Sequence, residues 1–173
     1  QNYFSLTLAE CVRLKEMAVS ARPVVLTFNG AFADFGRVLP ILEKYQLSAT
    51  LFVPTAFVGK ASSWLGSEQQ RPLLDWEDLR GLANIEIGSL GHEHLHLTQV
   101  RESAVREDVA RSRVMVEDTL GLPCQSFAYP YGETNASVTS MVKSSDFLVS
   151  RTLDPEISSL KHDLYALPRF AMT

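Results

Sequence analysis

Three histidines alternate in the string GHEHLHLT, at His92, His94 and His96, with Glu93 between the first two. Successive side chains of an extended segment point to opposite faces, so in such a segment all three imidazoles would project to one side. Imidazole is a ligand for zinc, copper or nickel, and three of them meet the protein's share of a catalytic metal site. A second candidate lies earlier, in VVLTFNGAFADF. Val24 to Phe28 reads as a buried strand, and the Asn29-Gly30 pair after it reads as a turn. Proteins that alternate strands and helices place their chemistry at such strand ends. There Asn29 offers an amide but no proton-accepting carboxylate, and Gly30 offers only backbone.

The elements that would position these residues alternate along the chain. The spacing of Phe35, Val38, Leu39, Leu42 and Tyr45 predicts a helix started by Asp34, with Pro40 tolerable only near its first turn. SATLFVP (48–54) predicts a second strand, and DWEDLRGLA a short helix with Asp75 as N-cap and Asp78 three residues on. IEIGS (85–89) predicts a third strand. Val105, Val109, Val116 and Leu120 form the apolar stripe of a helix beginning at Glu102, which Gly121 and Pro123 end. SFAYP, FLVS (147–150) and LYALPRF predict three further strands, with a helix over 136–143 between the first two. Strands alternating with helices imply βαβ units and a parallel sheet or barrel, with ligand sites beside Asn29, Ser89 and Pro130.

Composition narrows the functions available. The chain has 173 residues and 46% hydrophobic content, which suits a single domain with a real core. A net charge of -4 and the absence of basic runs argue against nucleic acid as a partner. No apolar stretch is long enough to span a bilayer, and residues 1–20 lack the pattern of a signal peptide. Cys11 and Cys124 form no C-x-x-C pair and read as buried free thiols.

LTFNGAFADF, EIGSLGHEHLHLT and SFAYPYG, in this order, resemble the motifs of the polysaccharide deacetylases, also called the NodB-homology domain or carbohydrate esterase family 4. LPILEKYQLSATLFVPTAFVG and LYALPRF extend the resemblance from about residue 23 to 170. It implies a distorted, incomplete (β/α) barrel in one domain over 1–173. The implied family reaction is metal-dependent hydrolysis of acetyl groups on carbohydrate polymers, acetylated amino sugars among them. It also implies a cell-surface or secreted setting.

The same resemblance locates what has changed. The family's first motif reads T-F-D-D-G, where the first Asp is the general base and the second a ligand of a divalent metal, usually zinc. Asn29 and Gly30 stand there, with Ala31 for the Gly. The second motif, H-[ST]-x-x-H, supplies two more ligands; its first position is Leu90 and its second is His94. The third motif's Arg corresponds to Ala128, while Tyr129, Pro130, Tyr131 and Gly132 match its F-A-Y-P-Y-G variant and are the implied substrate-binding residues, Tyr131 lining the cleft. His162 lies outside any matching context for the family's late acid, and Arg169 is a candidate for the vacated guanidinium position or for a structural ion pair.

With base and two of three ligands replaced, the reading is a catalytically impaired member that holds no cofactor and acts by binding carbohydrate or a protein partner. The alternative is an active deacetylase whose zinc or other divalent metal sits on His92, His94 and His96. Trp64, Trp76 and the two tyrosines are candidate sugar platforms, with ordinary packing the simpler reading for all but Tyr131. Asn135-Ala136-Ser137 matches a glycosylation acceptor, a three-residue pattern of low specificity.

Overall fold

In the computed structural model, which describes residues 3–15, 22–157 and 162–170, Tyr3–Leu6 (β1) leads into a helix over Leu8–Lys15 (α1) and pairs in parallel with Arg22–Val25 (β2). Thr27–Asn29 (β3), Ala49–Val53 (β4), Ile85–Ser89 (β5), Ser126–Ala128 (β6) and Val149–Arg151 (β7) form a second sheet in that order, every pair parallel. The sheet curls into half a barrel, as the alternation of strands and helices implies. The apolar run at 24–28 is thus two strands. It changes partner at Leu26, whose carbonyl accepts the Thr50 N–H at 2.9 Å.

Side chains divide by strand alternation. Leu51, Val53, Ile85, Ile87 and Phe127 face outward and pack with Val105, Val109 and Val116 of the long helix Glu102–Leu120 (α4). Phe52, Leu90, Ala128 and Val149 face inward, where Leu8 and Val12 of α1 join them. Gly88 makes room for that inner layer, because a Cβ there would lie 2.7 Å from the Phe52 ring. Helix α1 is anchored on the inner face, at the N-terminal ends of β4 and β5. Leu8 N–H donates to Thr50 Oγ1 and Ala9 N–H to the Glu86 carboxylate, which also accepts from Thr50 and Ser126.

Local signals account for most element ends. Asp75 caps Trp76–Arg80 (α3) with the reciprocal Asp78 bond of a capping box, Gly121 ends α4 in the left-handed region (φ 70), and Asn135 caps Ala136–Lys143 (α5) through Val138 N–H at 3.0 Å. Asn135 is therefore a helix cap. Pro40 falls at the start of Leu39–Lys44 (α2), where its missing N–H is no loss. Asp34 does not start the preceding turn as expected: Ala33–Arg37 is a 3-10 turn without a side-chain cap, and Asp34 pairs with Arg71 instead. LYALPRF is not a full strand either. Leu167 alone bridges Arg151, and Pro168, having no N–H, ends the ladder. Among the described residues no helix is long and apolar enough to cross a membrane.

Candidate functional site

Strand β3 ends at Asn29, and the chain turns through two residues of positive φ, Gly30 (95°) and Ala31 (49°). The Phe32 ring folds over Gly30 so closely that a Cβ there would meet it at 2.5 Å. Glycine is needed at this position twice over, for its φ and for its size. The Asn29 amide oxygen accepts a hydrogen bond from Arg151 Nη2. Arg151, at the end of β7, is only 2% exposed and lies 4.6 Å from the Phe52 ring centroid. Burial pulls its guanidinium down to about 9, with the charge of Arg169 acting in the same direction, so it is still a cation at neutral pH.

Arg151 is the residue that sequence reasoning missed. Its register partner across β6 and β7 is Ala128, the position from which the expected guanidinium is absent. Of the two arginines at this end it is Arg151, from the neighbouring strand, and not the candidate Arg169, that bonds Asn29. The only signal was a charge closing the apolar run FLVSR. Arg169 makes no ion pair among the described residues, and its Nε is buried without a hydrogen-bond partner.

Beyond β5, Leu90 turns into the inner apolar layer, 2% exposed. The following loop wraps a buried carboxylate. Asp108 of α4 accepts the N–H groups of His92 (2.9 Å) and Glu93 (2.7 Å), and Gly91 passes so close that a Cβ would lie 2.6 Å from its Oδ2. Burial pushes the Asp108 carboxyl up, and the two N–H donors act against that rise.

The loop is therefore not extended, and the three histidines do not share one face. His92 Nδ1 meets Thr55 Oγ1 at 2.8 Å, beside a pocket lined by Glu93, Glu107, Asp108 and Arg111. His94 has φ 53, stacks on Trp64 at 4.7 Å between centroids, and keeps its Nδ1 buried without a partner. Burial lowers His94 to about 4, so its ring is neutral at physiological pH. His96 stacks on Tyr131 at 3.7 Å and places Nδ1 3.1 Å from Glu133 Oε2. Among the described residues no three His, Cys, Asp or Glu side chains are grouped to hold a metal ion.

The third motif divides in the same way. Tyr129 is 1% exposed, its hydroxyl donating to the Tyr165 carbonyl and accepting from Ser150, and Pro130 is buried too. Both belong to the packed interior, so neither offers a face to a ligand as the resemblance implied, and Tyr129 follows the simpler packing reading. Tyr131 is 37% exposed, with φ 57, and Gly132 (φ 76) backs onto Leu153. Tyr131 also meets His94 edge-on at 4.6 Å. An aromatic row thus crosses the strand ends, from Phe32 through Trp64 and His94 to Tyr131 and His96. Trp76 packs on the outer core and takes no part in the row, and His162 lies 3.4 Å from Glu156.

Residues 16–149 match the polysaccharide deacetylase family. The chain belongs to that family. It is 24% identical over 153 residues to the Bacillus subtilis protein YxkH, named as a polysaccharide deacetylase, covering 87% of this chain. The chain spans about half the length of that curated relative, 51%. In structure it resembles the Streptococcus pyogenes deacetylase PplD, solved in complex with acetate: TM-score 0.85, 23% identity, 98% of this chain and 74% of that one. It also resembles BA3943 of Bacillus anthracis, described as a carbohydrate esterase family 4 pseudoenzyme, with TM-score 0.57, 21% identity, 73% of this chain and 42% of that one. A mutant of BA3943 is described as having restored enzymatic activity. These likenesses establish the distorted, incomplete barrel.

Polysaccharide deacetylases of this family generally depend on a divalent metal. Asn29 brings a neutral amide already bonded to a cation, Gly30 and Leu90 bring no ligand atom, and His94 brings one imidazole. A catalytic zinc needs three protein ligands and an open position. The residues at this end of the barrel do not fit a metal centre.

Proposed function

We propose that this polysaccharide deacetylase-family domain has a degenerate hydrolytic site and acts by binding carbohydrate in the cleft at the strand ends. The observation that carries the reading is the Asn29–Arg151 contact. A buried guanidinium holds the side chain at the family's base position, where the metal-dependent reaction calls for a carboxylate beside a divalent ion. An arginine beside the base is itself part of the family's third motif, so what sets this site apart is the missing carboxylate at Asn29 together with the missing ligand atoms at Gly30 and Leu90. A protein of similar fold in B. anthracis is described as a carbohydrate esterase family 4 pseudoenzyme, and a mutant of it as having restored enzymatic activity, which supports the reading.

The binding function rests on Tyr131, whose exposed ring is braced by His94 and His96 and can stack on the apolar face of a sugar. Titration calorimetry with acetylated chito-oligosaccharides tests it. The expected result is saturable binding without acetate release, weakened about tenfold by Tyr131→Ala, a loss of order 1.4 kcal/mol. Absence of binding to any glycan would instead favour a protein partner.

Rebuilding a metal site is harder here than the motif comparison implies. Asn29→Asp supplies a base, and Gly30→Asp and Leu90→His supply two ligand groups that complete a set of three with His94. The Gly30 change also forces an Asp into φ 95 against Phe32, whereas Arg151 gains a carboxylate partner in Asn29→Asp. Zinc binding is expected only when Phe32→Gly accompanies those changes.

A further inference from the structure

Two guanidiniums without a carboxylate stand at one end of the barrel. Arg151 spends its donors on the Asn29 amide oxygen and on the Thr152 carbonyl at 3.3 Å, lies over Phe52, and leaves Nε without a partner. Arg169 comes two residues after Leu167, the bridge partner of Arg151, and its charge acts on that guanidinium. Its Nε is also buried and unpartnered. The nearby acids are committed elsewhere: Asp154 accepts from Thr152 Oγ1 at 2.6 Å, and Glu133 meets His96 and Thr98. No ion pair among the described residues includes either arginine.

Taking a cation out of water is costly unless an anion faces it. A guanidinium presents paired N–H groups in the geometry of a carboxylate. Asn29 and Arg169 are both partly exposed while Arg151 is buried, so a ligand would approach the pair from the side of Arg169. We propose that Arg151 and Arg169 bind a carboxylate, and that the cleft selects a glycan carrying an acidic sugar such as a uronic acid. The assignment rests on the reading that no catalytic metal occupies this end of the barrel. Acetate release tests that reading and carboxylate binding tests this one, so each can fail alone.

The experiment is a calorimetric titration, with melting curves, of the whole chain against sodium glucuronate, sodium acetate, neutral glucose and sodium chloride at matched ionic strength. Glucuronate is expected to bind saturably and raise the melting temperature; glucose and chloride are expected to do neither. Acetate binding as tightly as glucuronate would overturn the acidic-sugar assignment. Arg169→Gln removes one cation from a partly exposed position and should weaken glucuronate about 10- to 100-fold. Asn29→Asp brings a carboxylate to Arg151 from within the chain and should abolish binding while the protein stays folded by circular dichroism. Unchanged affinity in either folded variant, or no saturable response to glucuronate in the unmodified protein, would overturn the proposal.

Discussion

Replacing Asn29 by Asp changes one amide for a carboxylate of the same shape and leaves every neighbour in place. In the native protein Arg151 is buried with only neutral acceptors. The native bond already has an ionised donor; the substitution adds the attraction of a full negative charge, about 4 kcal/mol at about 4 Å for an effective dielectric of about 20. Part of that gain is offset by desolvating the new carboxylate, leaving about 1–2 kcal/mol of stabilisation at pH 7. For a chain of this length that is a rise of about 2–8 °C in melting temperature. The cation beside it would hold the introduced carboxyl below its unfolded value of about 3.9. The gain is therefore complete above about pH 3.9 and lost as pH falls through the depressed folded value. Thermal melts at pH 7 and pH 3 in the native and Arg151→Met backgrounds measure it as a double-mutant cycle. A variant that melts at or below the unmodified protein at pH 7, or that gains equally without Arg151, would refute the buried-cation argument. It should release no acetate, since it has a carboxylate and no ligand set.

Other outcomes follow from the same geometry. Because burial lowers His94 to about 4, the unfolded chain takes up its proton first, so stability falls as pH drops from about 6.5 towards 4. Denaturant midpoints across that range should show about 2 kcal/mol less pH-dependent loss in His94→Asn, a residue that tolerates the φ of 53 found here. Leu90→His alone removes an apolar side chain from the layer of Phe52, Ala128 and Val149 and should cost about 2–4 kcal/mol by denaturant unfolding. Asp108→Ala orphans the N–H groups of His92 and Glu93, and should cost about 2–4 kcal/mol and change the fluorescence of Trp64, which stacks on the same loop.

What could be read from the sequence was what local signals encode. The buried strands at 49–53 and 85–89, the Asp75 capping box and the Gly121 stop all announce themselves within a few residues. Helix α1 had such a signal as well, unread: Thr7 and Glu10 exchange bonds as a capping box in TLAE. The site was less legible because its geometry is set from a distance. Alternation of His92, His94 and His96 suggested one metal-facing side, yet Asp108, 16 residues beyond His92, pins the loop in another conformation. Arg151 meets Asn29 across 122 residues, and no pattern near either one encodes that contact. Motif correspondence located Asn29, Gly30, Leu90 and His94, whereas packing decided that Tyr129 belongs to the core and Tyr131 to the cleft.

The central claim is that this deacetylase barrel carries a site without metal-dependent chemistry. Its most direct test is acetate release from acetylated chito-oligosaccharides by the purified protein, with its metal content measured on the same sample and the assay repeated with added zinc and with a chelator. The account predicts no stoichiometric zinc and no release above the uncatalysed background in any of these conditions. Acetate release that zinc raises and the chelator suppresses would contradict it.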